Sequence, residues 1–416
     1  MGKSKMLFSV LLLFVVPSSF VFAQVKALYF GTLIDGKGKK IIHAVVLVDS
    51  NRIVQVGSKK EVVVPKNAEK IDLKKYTAIP GMIDAHTHIT YYWDRTQGKD
   101  PWSQLGTLGP AVTVFLAQEN AKKTLESGVT SIRDLGSFDK MDFAMRDLIN
   151  KGAMSGPRMF IAGRGLSIRR TKGVDEVQKF AKEQLALGAD WVKVYGSTGS
   201  AKDVTGTQTY SYEEMKAAAD VAHQAGKRIA IHSYGPDGAK AAVKAGATTV
   251  EHATDVDDAT FAEMAQKGII YVPTVDHNRY YVSHRDEYGY DSTDVDGLNG
   301  YIQRNFESLK KAIQAKVKIA MGSDAVFTGF GENTRELGWF VKAGMTPEQA
   351  LQTATTTGAE MLGMEKKLGA IAPGFYADIV AVQGDPLLDI QVVINQVKWV
   401  MKNGKVEVDK RGLVKN

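Results

Sequence analysis

The residues best able to do chemistry in this chain begin with the run Pro80-Gly81-Met82-Ile83-Asp84-Ala85-His86-Thr87-His88. Residues two apart in a strand point to the same face, so His86 and His88 can grip one metal ion from one side. Alone, the pair fits two ordinary core or surface histidines equally well. Further on, Lys193 stands inside Trp191-Val192-Lys193-Val194, His232 follows Ile229-Ala230-Ile231, His252 follows Val250-Glu251, and Asp324 follows Gly322-Ser323. The chain has only 8 histidines, and four of them fall at the ends of apolar runs. Four imidazoles and a carboxylate suit zinc or a similar divalent ion. Lys193 admits two readings. It can pair with an inward carboxylate, or burial can strip its charge and leave a neutral amine. Such an amine can take up carbon dioxide and become a carbamate, an anionic bridge between two metals.

Elements must bring these distant residues together. The middle of the chain repeats a helix, a glycine, a short apolar strand and then polar residues. The glycines are Gly128, Gly188, Gly226, Gly246 and Gly268, each fitting the residue just past a helix end. The last repeat, Ala315 to Asp324, lacks one. Eight strands are predicted: Ala78–Asp84, Val129–Arg133, Arg158–Ala162, Trp191–Val194, Arg228–Ile231, Thr249–Glu251, Ile270–Val272 and Lys318–Met321. Helices alternating with buried strands imply a parallel sheet. A doubly wound open sheet is the alternative, but reactive residues at the C-terminal strand ends favour an α/β fold of the (β/α)8 TIM-like barrel type. Both termini read as β: Ala27–Phe30, Ala44–Val48 and Arg52–Val56 at one end, Asp378–Val382 and Val397–Met401 with a tight turn at Lys402–Lys405 at the other. They predict a small β-sandwich built from both ends. The divisions are then residues 1–23, 24–77 (sandwich), 78–368 (barrel) and 369–416 (sandwich).

Residues 1–23 read as a targeting segment. Lys3 and Lys5 precede an apolar run from Met6 to Phe22 that breaks at Pro17, and Val21-Phe22-Ala23 offers a cleavage site after Ala23. The run is short for a spanning helix, which disfavours the rival reading as an uncleaved anchor. No other apolar run could span a bilayer, so no stable span is expected after cleavage. The formal charge of +7 is spread out, without a nucleic-acid stripe. With no cysteine there is neither a disulfide framework nor a lipid-anchoring cysteine. Export to a bacterial periplasm or medium is the simplest picture.

At this point the chain resembles the amidohydrolase superfamily of the binuclear-metal type, in its imidazolonepropionase-like and Xaa-Pro dipeptidase-like branch. Pro80 to His88, Gly322-Ser323-Asp324 and Leu368-Gly369-Ala370-Ile371-Ala372-Pro373-Gly374-Phe375-Tyr376-Ala377-Asp378-Ile379-Val380 carry the resemblance. It implies two divalent metal ions, zinc by choice of donors. His86, His88 and Asp324 would hold one, His232 and His252 the other, and N6-carboxylated Lys193 would bridge them. A hydroxide between the metals would attack an amide carbonyl, and Asp324 would pass its proton to the leaving amine. Relatives are commonly homo-oligomeric.

On the substrate side, Tyr234 corresponds to a tyrosine that polarises the scissile carbonyl in dipeptidase-like relatives; a packing aromatic is the plainer reading. His277 follows strand 7 and could bind a substrate carbonyl or carboxylate, or simply satisfy a loop. Relatives often carry a Gly-Gly-His loop after strand 3, whereas residues 163–173 contain no histidine. Arg169 or Arg170 could bind a substrate carboxylate there, or both could be solvated. Arg335 reads as a structural partner of Glu332 or Glu336. His43 and His223 are assigned no chemistry, and His284 is read as a surface residue. Val204-Thr205-Gly206 together with Val275 to Tyr281 is similar to exported amidohydrolases that cleave N-acyl amino acids, including ochratoxin A. The small-molecule substrate implied is therefore a dipeptide or N-acyl amino acid. A one-metal cyclic-amide hydrolase or deaminase, and an exported metal- or ligand-binding protein without catalysis, are the alternatives.

Overall fold

The computed structural model describes residues 25–96 and 101–412, so the targeting segment at 1–23 lies outside the described residues. The N-terminal part contributes β1 (Lys26–Ile34), β2 (Lys40–Ile42), β3 (Ala44–Asp49), β4 (Arg52–Ser58) and β5 (Glu69–Pro80). The barrel contributes β6 (Met82–Thr87), β7 (Val129–Asp134), β8 (Arg158–Ile161), β9 (Trp191–Tyr195), β10 (Arg228–His232), β11 (Thr249–Glu251) and β12 (Ile270–Val272). The C-terminal part adds β13 (Ile379–Val382), β14 (Val397–Lys402) and β15 (Lys405–Asp409).

Strands from both ends form one sheet in the order β15-β14-β13-β5-β1-β3-β4, with β2 paired to β1. Leu28, Phe30, Val46, Ala381, Trp399 and Met401 pack on one side of it in a core of their own. The β14–β15 turn places Asn403 and Gly404 at φ 54° and 76°, the left-handed pair that a two-residue hairpin needs.

The first predicted barrel strand, Ala78–Asp84, divides at Gly81. Ala78, Ile79 and Pro80 pair with β13 in the terminal sheet, and only from Met82 onward does the chain enter the barrel beside β7. A side chain at Gly81 would put its Cβ 2.2 Å from Thr130 Oγ1, so only glycine lets the two sheets meet this closely.

Within the (β/α)8 barrel, β6-β7-β8 and β9-β10-β11-β12 are parallel ladders. Leu166 joins them on one side, donating to Lys193 O at 2.8 Å and accepting from Tyr195 N at 3.0 Å. On the other side the segment from Lys318 to Ala325 fills the eighth position. Tyr271 N donates to Lys318 O at 2.8 Å and Ala85 N to Met321 O at 2.8 Å. This eighth strand is reduced to bridges, Tyr271↔Ile319 and Thr87↔Ala325, because Met321 N turns aside to Thr353 O. Every residue of β6 and β7 is buried, as expected for parallel strands covered on both faces. The five helix-terminating glycines all have positive φ, from 65° to 95°. In the repeat that lacks one, Lys316 takes φ 58° itself. No helix among the described residues is long and apolar enough to cross a membrane.

Candidate metal centre

His86 is next to last in β6, Lys193 lies mid-way along β9, His232 ends β10, His252 follows β11 and Asp324 lies near the end of the eighth segment. With His88, which follows β6, these make the six predicted ligands; all line the same cleft and are no more than 7% exposed. Asp324 Oδ1 lies 3.5 Å from His86 Nε2 and 3.4 Å from His88 Nε2, and its Oδ2 lies 4.0 Å from His252 Nδ1. Lys193 Nζ is 3.4 Å from His86 Nε2. His232 joins through its ring, 4.6 Å from that of His252. Two of these residues leave their strands abruptly: His252 has φ 73° and Asp324 φ 50°. A non-glycine residue in that region costs roughly 1–2 kcal/mol, and the turn it makes aims each side chain across the barrel mouth.

Residues further in fix how the rings face. His86 Nδ1 bonds to Glu251 Oε2 at 2.8 Å, and His88 Nδ1 bonds to Gly136 O at 3.1 Å. Each bond holds the proton on Nδ1 and leaves the Nε2 lone pair turned to Asp324. Glu251 is itself held by Arg133 Nη2 at 2.9 and 3.0 Å. Arg133 is fully buried, donates to Ala85 O and Thr249 Oγ1, and lies 4.4 Å over the Trp191 ring. His252 Nδ1 is 2.6 Å from Thr274 Oγ1. Asp84 accepts from His86 N, Ser323 N, Ser323 Oγ and Asn333 Nδ2, stitching the His86 strand to the segment that carries Asp324. Arg133, Glu251 and Asp84 went unmarked in the sequence reading, although each puts a charge in an otherwise apolar strand.

The residues fit a divalent metal. Ligand atoms of His86, His88 and Asp324 lie within 4.8 Å of one another. His232 Nε2 is buried without a hydrogen-bond partner, an orphaned lone pair that coordination would satisfy. Burial holds His86, His232 and His252 well below the ordinary imidazole range, and His88 at about 4, so all four are neutral ligands at neutral pH. Burial lowers Lys193 to about 8, with the charges of Glu251 and Asp324 opposing it. Burial also raises Asp324 to about 6, against the pull of His88 and Lys193.

The sequence profile of the amidohydrolase family matches residues 77–406. The chain belongs to the amidohydrolase family. It is 28% identical to an ochratoxinase of Aspergillus niger over 431 aligned residues, covering 92% of this chain and 87% of the relative. An imidazolonepropionase of Alkaliphilus metalliredigens is 21% identical over 90% of this chain and 93% of its own. Among solved structures, a Xaa-Pro dipeptidase with methionine bound in its active site superposes with a TM-score of 0.82 at 28% identity, covering 92% of this chain and 99% of that one. These neighbours place the chain in the imidazolonepropionase-like and dipeptidase-like branch, and its fold among theirs.

The mouth of this amidohydrolase holds a cleft of about 460 Å³ above the ligand set, walled by Tyr91, Trp102, Tyr195, Tyr234 and His277. Tyr234 stacks on His232 at 5.0 Å and on Tyr301 at 4.5 Å. His277 Nε2 is 3.4 Å from Asp324 Oδ2. Its helix, Val275–Ser283, is anchored by Glu336, which accepts from Val275 N and Asp276 N at 2.8 Å each. Arg169 and Arg170 are exposed and do not touch the ligand set; they line a neighbouring cleft with Arg164. Tyr91 and Tyr195 were not singled out from sequence, although Tyr195 lies two residues after Lys193 on the same strand and so shares its face. Arg335 meets Glu332 at 3.4 Å, as its structural reading requires. His284 is not a plain surface residue: it is half-buried at the end of the Val275–Ser283 helix, where its ring stacks on Tyr280 at 4.0 Å and its Nδ1 lies 3.0 Å from Tyr280 O.

Proposed function

We propose that this amidohydrolase cleaves the amide bond of a dipeptide or N-acyl amino acid, with two divalent ions, zinc by choice of donors. His86, His88 and Asp324 would hold one ion, His232 and His252 the other, and a carboxylated Lys193 would bridge them. Bound ions of this kind lower the pKa of water towards neutrality and polarise a carbonyl oxygen. The chain's own groups do the rest. Asp324, ionised at neutral pH with its raised pKa of about 6, takes the proton of the attacking water. It returns that proton to the amide nitrogen as the C–N bond breaks, giving a carboxylic acid and an amine. Tyr234 turns its hydroxyl to the carbonyl oxygen as negative charge develops there. His277 and the arginines orient the substrate. The leader at residues 1–23 would direct the enzyme to the periplasm or medium, where it would act as a homo-oligomer.

The observation that carries this reading is the convergence of Lys193 and Asp324 on the same imidazole, that of His86, with a lysine amine lowered to about 8. Lys193→Ala and Asp324→Asn should each lower hydrolysis of a dipeptide and N-acyl amino acid panel by at least about 100-fold, the usual worth of a proton-transfer group. Full metal-dependent turnover in either variant would overturn the mechanism. A second reading, a cyclic-amide hydrolase of the imidazolonepropionase type, is favoured by the tight clustering of just His86, His88 and Asp324. Metal content separates the two: two ions per chain support the first, one the second. A fully loaded protein that turns over neither class of amide would instead be a binding protein.

A further inference from the structure

Beside the metal cleft lies a second one of about 710 Å³, lined by Arg164, Arg169 and Arg170 with aromatic wall from Phe138. Tyr91, Tyr195 and Ser200 line both, so the two clefts adjoin. The loop that carries the arginines is pinned. Gly163 N donates to Asp142 Oδ2 at 2.8 Å, Leu166 is hydrogen-bonded to both Lys193 and Tyr195, and the Tyr210 hydroxyl donates to Thr171 O at 2.9 Å. Among the described residues none of the three guanidinium groups forms an ion pair. Arg279 and Arg335, by contrast, are bound to Asp276 and Glu332. Burial lowers the pKa of Arg164, the positive charge of Arg170 lowers it further, and the carboxylate of Asp139 opposes both.

One carboxylate is matched by one bidentate guanidinium. Three unpaired guanidiniums in a single cleft exceed what one α-carboxylate can neutralise, and their mutual repulsion is relieved by a second negative charge. We infer that this cleft selects amides whose amino-acid half carries two carboxylates, namely aspartate or glutamate. The inference rests on the amide-hydrolase reading above and names its substrate class.

The test compares zinc-loaded protein on N-acetyl-L-glutamate, N-acetyl-L-glutamine and N-acetyl-L-leucine, and measures binding of L-glutamate and L-glutamine by calorimetry. The acidic substrate should be favoured in kcat/KM by at least about tenfold, the size of one charge-assisted hydrogen bond. Arg164→Gln and Arg170→Gln should remove most of that preference through KM and weaken L-glutamate binding, with unchanged melting temperatures because both residues are exposed. Equal or faster turnover of the glutamine or leucine substrate would overturn the inference and leave the amide-hydrolase reading standing. If no amide is cleaved, that reading falls, and the calorimetry still decides the cleft: L-glutamate bound no better than L-glutamine overturns it.

Discussion

Glu251 touches no substrate, yet it governs His86. Its carboxylate fixes the imidazole proton on Nδ1 while Arg133 holds the carboxylate from behind. Outer partners of this kind are typically worth about 10–100-fold in metal affinity. Glu251→Gln should therefore weaken zinc binding by about that factor, read by competition with a chelator, although all six proposed ligands remain. An unchanged affinity would show that the tautomer is set elsewhere. The six ligand-type residues were legible because metal-donor side chains interrupt apolar strands at the ends where barrel chemistry gathers. Arg133 and Glu251 break the same pattern, but they are 118 residues apart, and their purpose exists only once β7 faces β11. Arg164 was missed because its meaning lies in the cleft it shares with Arg169 and Arg170, a grouping the spacing does not announce.

The helix Val275–Ser283 shows how an element can carry a pH response. Glu336 is 1% exposed, and burial raises it to about 8 despite the two backbone N–H groups that it accepts from. A carboxyl whose folded pKa lies above its unfolded value of 4.5 favours the folded state most when protonated. Its contribution is complete below about pH 4.5 and lost as pH rises through about 8. Wild-type stability should thus decline between these values, and Glu336→Gln should flatten that slope in melting temperature against pH. A variant with the wild-type slope would locate the titration in another group. Seven of the eight predicted barrel strands form ladders in the predicted order, since glycine-terminated helices and short apolar runs alternate plainly. Two boundaries were not legible. The first strand continues past Gly81 in sequence but changes sheets there, which depends on the close approach of Thr130. The eighth has strand-like composition, yet Met321 gives its N–H to Thr353 and the ladder stays incomplete.

Across the whole molecule the formal charge is +7, and unpaired arginines stand beside the mouth. A positive field concentrates anions and raises their encounter rate, and salt screens it. Turnover of anionic amides, as kcat/KM, should fall several-fold between about 0.01 M and about 1 M salt, while that of uncharged amides stays nearly flat. Equal salt profiles would show that the field plays no part in capture. That both termini build one β unit was legible from the matching β-rich ends, although the prediction was of a sandwich and did not specify that β5 and β13 pair in a shared sheet. The buried Arg133–Glu251 pair has one last consequence. It crosses the barrel from β7 to β11, over the Trp191 ring. With both partners fully buried, removing either one would leave a lone charge inside the barrel, at a cost of about 3–5 kcal/mol.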